Sequence, residues 1–182
     1  MNHMPADSFR FNSVNSLERW GIKVLAYDVF SPNKRERNRQ IPFRHGRYDY
    51  GKKYFDERIV TLQCATEGKE LTKAEMREVI LWLTQRGRLT LWDEQDKYYV
   101  GELEESVDVN VLPQEVKRTF SLPFRCEPFA YGAQNNLPIE IGINRIDYRG
   151  TAETPSLIVI RNPNPFPVTG ITITTVAHKR AQ

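Results

Sequence analysis

Residues 71–87, LTKAEMREVILWLTQRG, constrain the fold more than any other stretch of this chain. Thr72 stands three residues before Glu75, the spacing of a capping box, and Leu71 and Met76 hold the positions of a hydrophobic staple. Met76, Val79, Ile80 and Leu83 recur at the helical period and draw one apolar stripe. Arg86 suits the negative end of the helix dipole, and Gly87 is placed to follow the C-cap. A lone amphipathic helix cannot bury such a stripe by itself. With strands on both sides of it in sequence, it must lie on a sheet face.

Those strands are legible as patterns. Residues 20–30, WGIKVLAYDVF, form a β-branched and aromatic run closed by Ser31-Pro32. In 58–65, Ile59, Thr61 and Gln63 alternate with Val60, Leu62 and Cys64, as in a half-buried strand. RLTLW (88–92) and KYYVGELE (97–104) flank the polar Asp93-Glu94-Gln95-Asp96 and predict a hairpin. VDVNVL (107–112) alternates again, and 116–129 is a long strand in which Pro123 predicts an edge position or a bulge. After the linker-like YGAQNN (131–136), three more strands are expected over 137–144, 155–162 and 170–177, with Pro163, Pro165 and Pro167 forming a rigid, extended connection. The expected fold is mainly β within the α+β class: an antiparallel β-sandwich or split barrel over 1–132, with one amphipathic helix and a protruding β-hairpin. A short β-rich C-terminal region over 133–182 follows it.

Composition narrows the function. At 182 residues, with 40% hydrophobic and 27% charged, the chain suits one globular domain plus a small appendage. No stretch reaches the roughly 20 apolar residues of a membrane span, and MNHMPADSFRF lacks a secretory core, so folding in a cytoplasm is expected. Cys64 and Cys126 lie in apolar-flanked strands and read as buried free thiols. His3, His45 and His178 are scattered, and no metal-ligand spacing, nucleophile elbow or phosphate loop is present. Acids at 102, 104, 105 and 108 are crowded like an exposed charged face rather than a general acid and base. No enzyme, cofactor or metal is expected.

Charge is strongly segregated. Residues 31–53 hold eight Lys/Arg against two acids, interleaved with Phe43, Tyr48 and Tyr50. Residues 93–108 hold seven acids and one Lys. Basic and aromatic residues together could grip nucleic acid through 31–55. Opposite charges on two flanks could instead pair head to tail between copies, and such contacts close into rings when the rotation allows. The two segments could also neutralise each other within one chain. For the pairing between copies, the candidates are Arg37, Arg39, Arg44 and Arg47 facing Glu102, Glu104, Glu105 and Asp108 of a neighbour. Exposed aromatics such as Phe129, Tyr131 and Tyr148 leave a sugar-stacking reading open.

The order of segments resembles the N-terminal domain of siphophage distal tail (Dit) proteins. That family's loop reads I-P-G-R-(D/H)-G, then an aromatic and acidic pair, then an Arg opening the next strand. Ile41, Pro42, Arg44, Gly46, Tyr48, Asp49 and Arg58 match it, while Phe43 stands where the family often has Gly. Gly150, Thr151, Glu153 and Pro155 resemble the opening of the family's C-terminal β-sandwich. The resemblance implies a virion protein that forms a hexameric ring, or hub, at the distal end of the tail tube. Its partners would be copies of itself, the tail tube protein and the tail-associated tip protein. DNA would leave through the channel without being specifically bound. Residues 133–182 would then be a reduced or incomplete galectin-like domain.

Overall fold

The computed structural model describes residues 4–33, 35, 38–40, 47–49, 54–66, 71–104, 119–148, 150–152, 154 and 157–176. They fall into two compact units, Met1–Glu140 and Ile141–Gln182.

The first unit opens with a hairpin of β1 (Phe9–Phe11) and β2 (Val14–Asn15). Asn12 and Ser13 join the strands with φ of 47° and 69°, the positive pair that a two-residue type I′ turn requires. Helix α1 (Ser16–Trp20) follows. The Asn15 side chain accepts the Leu17 and Glu18 N–H groups at 2.9 and 3.0 Å, and Gly21 closes the helix at φ 67°. The sequence reading missed this helix and gave Trp20 to a strand. Its signal was the N-cap Asn15 and the terminal Gly21, five residues being too short for a periodic stripe.

The remaining elements are β3 (Ile22–Val29), β4 (Asn38–Gln40), β5 (Arg47–Asp49), β6 (Arg58–Thr66), α2 (Lys73–Leu83), β7 (Gly87–Leu91), β8 (Lys97–Leu103), β9 (Thr119–Cys126) and β10 (Tyr131–Gly132). Among the described residues they build an eight-stranded antiparallel sheet in the order β2-β1-β7-β8-β9-β6-β3, with β10 on β8, plus the separate pair β4-β5. The mainly β expectation holds. The expected strand 107–112 lies outside the described residues.

The main sheet curls until its ends meet, as in a split barrel. The Val24 N–H, on edge strand β3, donates to the Asp7 carbonyl just before β1 (2.7 Å), and Lys23 pairs with Asp7 at 3.6 Å. The Ser16 hydroxyl donates to the Ile22 carbonyl at 2.9 Å, tying α1 to the same edge. Leu25 is the extra residue of a β-bulge between the Val24 and Ala26 rungs, which raises the local twist. Pro123 lies inside β9, between two neighbours, yet its carbonyl accepts the Glu104 N–H just past the last β8 rung. Its missing donor therefore falls where the β8 ladder has already ended.

Val60, Leu62 and Cys64 point into the core together with Phe9, Phe11, Leu89, Leu122 and Phe124. Helix α2 covers this core with Val79 and Leu83, while Met76 and Ile80 are only half-buried. Trp82, absent from the expected stripe, completes it. Its ring stacks on Phe9 with centroids 5.6 Å apart, and its indole N–H donates to the Phe11 carbonyl at 2.9 Å. The capping box is present, with Thr72 Oγ1 accepting the Glu75 N–H at 3.3 Å and Glu75 accepting the Thr72 N–H at 2.9 Å. The C-terminus is a correction. Thr84 ends the helix in a right-handed conformation, and Gly87 instead opens β7. A Cβ on Gly87 would come within 1.9 Å of Asn12 Oδ1, the atom that accepts the Arg88 N–H at 3.1 Å.

Cys64 and Cys126 are buried free thiols, and burial pushes both up to about 12. Cys64 pairs with Phe120 and Cys126 with Arg58 along the β6–β9 ladder, so the two sulfurs sit at opposite ends of it.

In the second unit the expected strands over 155–162 and 170–177 do not form among the described residues, nor does the one over 137–144 that begins at the end of the first unit. Apart from the half-buried Ala152, every described residue of the second unit is exposed. A strand is a paired state, and here alternation meets no neighbouring ladder, so the pattern has no face to bury. Local side-chain bonds set the turns instead. The Tyr148 hydroxyl donates to the Ala152 carbonyl (2.6 Å), and Asn162 Nδ2 donates to the Phe166 carbonyl (2.8 Å), folding the proline segment into a bend.

Candidate assembly surface

The basic segment is not a simple loop. Beyond Val29, the β3–β6 pairing continues: Phe30 N–H donates to the Ile59 carbonyl (3.3 Å), Asp56 N–H to Asn33 (2.8 Å) and Arg35 N–H to Tyr54 (2.9 Å). The β4–β5 ladder then follows in a shifted register, with Asn38 opposite Asp49, Arg39 opposite Tyr48 and Gln40 opposite Arg47. Two paired strands must be joined by a returning chain, and prolonging their ladder satisfies backbone groups that a loop would leave to water. Where it is described, the segment is thus a paired arm that lies between β3 and β6 in sequence.

This arm carries Arg39 and Arg47 on its two strands, with Tyr48 and Asp49 beside Arg47. Arg37, Ile41, Pro42, Arg44 and Gly46 lie outside the described residues, as do Glu105 and Asp108. At the base of the arm Arg35 Nε donates to Asp56 at 2.7 Å, so this arginine is neutralised within the chain.

The acidic stretch is also partly used at home. Tyr27 on β3 donates its hydroxyl to Asp93 and packs edge-on against Trp92, with centroids 5.1 Å apart. That hydrogen bond, followed by burial, pushes the phenol up to about 12. Glu94 pairs with Lys97 at 2.5 Å, which raises the lysine's pKa. Glu104 pairs with Arg125 at 2.8 Å, and Glu57 approaches the same guanidinium at 3.9 Å. Glu102 stands opposite Arg125 in the β8–β9 register and makes no ion pair among the described residues. Arg125 thus takes Glu104, an acid that sequence reasoning left to a neighbour; only its register on β9 could have indicated this.

Arg58, the family-motif residue that opens β6, sits differently from its neighbours. Its rung partner is Cys126, whose own partner on β8 is Gly101. Tyr99 is two residues from Gly101 and therefore on the same face. The Arg58 side chain runs across this row and places its guanidinium 5.6 Å from the Tyr99 ring centroid. Gly101 leaves that row clear, since a Cβ there would meet Cys126 Sγ at 2.6 Å. The adjacent acids Asp56 and Glu57 go instead to Arg35 and Arg125.

Two of the three aromatics considered for sugar stacking are occupied, while Tyr148 is exposed. Phe129 packs edge-on to Phe55 at 5.3 Å, and Tyr131 stacks on Tyr98 at 5.8 Å. The Tyr131 hydroxyl donates to Glu127 at 2.6 Å, which pushes it up to about 12. Glu127 also accepts Arg86 at 2.6 Å. No group of three His, Cys, Asp or Glu able to hold a metal occurs among the described residues, and no described helix is long and apolar enough to cross a membrane.

No family model matches the sequence, and no curated protein matches it. Among solved structures the chain is similar to the Dit protein (gp 19.1) of SPP1, described as a paradigm of the hub adsorption apparatus in Gram-positive-infecting phages. The TM-score is 0.53 at 17% identity, over 69% of this chain and 52% of that one. The match therefore spans about half the length of the SPP1 protein. At this identity the likeness concerns the fold, and the curled antiparallel sheet with its covering helix is a Dit-like fold.

Proposed function

We propose that this protein is a structural component of a phage tail that assembles into a ring of six copies at the distal end of the tail tube. The ring would join the tube to the tail tip and leave a channel through which DNA exits. The observation that carries this reading is the Dit-like fold joined to a basic paired arm that lies between β3 and β6 in sequence. The loop motif read in the sequence over 41–58 and the acidic stretch at 93–108 support it. Copies of the chain would associate head to tail, with Arg37, Arg39, Arg44 and Arg47 of one arm facing Glu102, Glu105 and Asp108 of the next subunit. Glu104 would join them at the expense of its Arg125 pair. The other partners are the tail tube protein and the tail-associated tip protein, in the virion. No catalytic step is invoked.

Light scattering with negative-stain imaging of the purified chain tests the ring directly. A six-fold ring with a central hole is the expected result, and a monomer at high concentration overturns it. Reversing both Arg44→Glu and Arg47→Glu is expected to dissociate the ring, and Glu102→Lys on the same background to restore part of it. If neither change moves the oligomer mass, the arm is not the joint. A second reading draws on the rung that sets Arg39 opposite Tyr48: a nucleic-acid grip using 31–55. It predicts DNA binding that falls steeply with salt, whereas a channel for passing DNA needs no such affinity.

A further inference from the structure

Arg58 is a half-buried cation without a counter-ion among the described residues. Its Nε is buried and has no hydrogen-bond partner, and no carboxylate pairs with it among the described residues. Among the described residues its guanidinium lies over the face of Tyr99. The alternation of β9 explains the lack. Arg125, next to Cys126, turns to the opposite face and collects Glu57 and Glu104 there. The other nearby acids are equally engaged: Asp56 with Arg35, Glu94 with Lys97 and Glu127 with Arg86. A guanidinium taken partly out of water and left unpaired is costly, and a carboxylate reaching it would form a strong charge-assisted bond.

We infer that Arg58 is a socket for a carboxylate brought by a second copy of this chain, so that a cation unpaired in one subunit is paired in the assembly. This rests on the ring reading and adds a receiving residue to it. A second copy is the fitting occupant because the chain's own acidic stretch offers Glu102, which acts on Arg125 only at longer range than an ion pair. The stretch as a whole is acidic, seven acids against a single lysine, of which Asp93, Glu94 and Glu104 have partners within the chain.

Arg58→Met tests the socket, because it keeps a long apolar stem over Tyr99 and removes the charge. Sedimentation across a concentration series is expected to show association weakened roughly tenfold or more, within the range of a single close charge pair. The melting temperature of the dilute monomer should be unchanged or higher. Unchanged association overturns the socket. So does a clear loss of monomer stability, which would place the partner within the chain itself. A wild-type protein that never associates overturns the ring and the socket together, whereas wild-type assembly indifferent to Arg58→Met overturns the socket alone. If the variant does not fold, sodium acetate against sodium chloride at equal ionic strength gives the answer on the wild-type chain. Acetate should dissociate it more; equal effects overturn the proposal.

Discussion

Strand β6 and the stretch around Ile141 carry the same kind of pattern and meet opposite fates. Val60, Leu62 and Cys64 alternate with Ile59, Thr61 and Gln63, and all three inward residues are 0% exposed. Ile139, Ile141 and Ile143 alternate just as cleanly, yet Ile141 and Ile143 are 108% and 104% exposed. The difference is in neighbours. Strand β6 lies between β3 and β9 and beneath a core that α2 covers, so its alternation has a face to fill. The later stretch has no ladder on either side among the described residues, and its alternation organises nothing. Alternation is a condition for a half-buried sheet, not a cause of one.

Substitution can break this contrast. Phe124, fully buried and packed against Phe9 and Phe11, should lose about 3–5 kcal/mol on change to alanine, read by urea unfolding. Ile143→Ala should stay within about 0.5 kcal/mol, since it empties no packed volume. A comparable loss at both positions would mean that the second unit is packed in solution. Gly101→Ala comes next in size. The added methyl would lie 2.4 Å from the Arg125 carbonyl, and overpacking of this kind costs about 1–3 kcal/mol. Gly142→Ala, with open space around it but a φ of 118°, probes backbone strain alone and sharpens the same comparison.

The smallest expected effect is alkaline. Tyr27 and Tyr131 are pushed from 10.0 up to about 12 by their carboxylate partners and then by burial, and Cys64 and Cys126 from 9.0 up to about 12 by burial. The folded chain holds these protons more tightly than the unfolded one. Their stabilisation is therefore complete below about pH 9 and is lost as pH rises towards 12. Thermal melts between pH 9 and 12 should show that decline, and Tyr27→Phe should make it shallower. An equally steep decline in that variant would mean the Asp93 bond contributes nothing.

The legible parts of this fold are those whose information is local. The capping box of Thr72 and Glu75, the inward set of β6 and the hairpin around Asp93–Asp96 all follow from residues a few positions apart. The missed parts depend on distant residues. Helix α1 offered only its caps, Asn15 and Gly21, and no periodicity. Trp82 was passed over because its place in the apolar face is fixed by Phe9 and Phe11, some seventy residues earlier. At the candidate surface, charge segregation was readable, but the pairs that consume Asp93, Glu94 and Glu104 were not.

By itself, then, the sequence determined a helix that needs a sheet, a set of strands with one apolar face each, and two segments of opposite charge. The tertiary structure alone decided which alternating runs became strands, that the described parts of the basic segment are paired, and which charges pair within the chain. The physical reason is common to all three. Periodicity and capping are properties of neighbouring residues, whereas ladders, ion pairs and burial exist only between residues that folding has brought together.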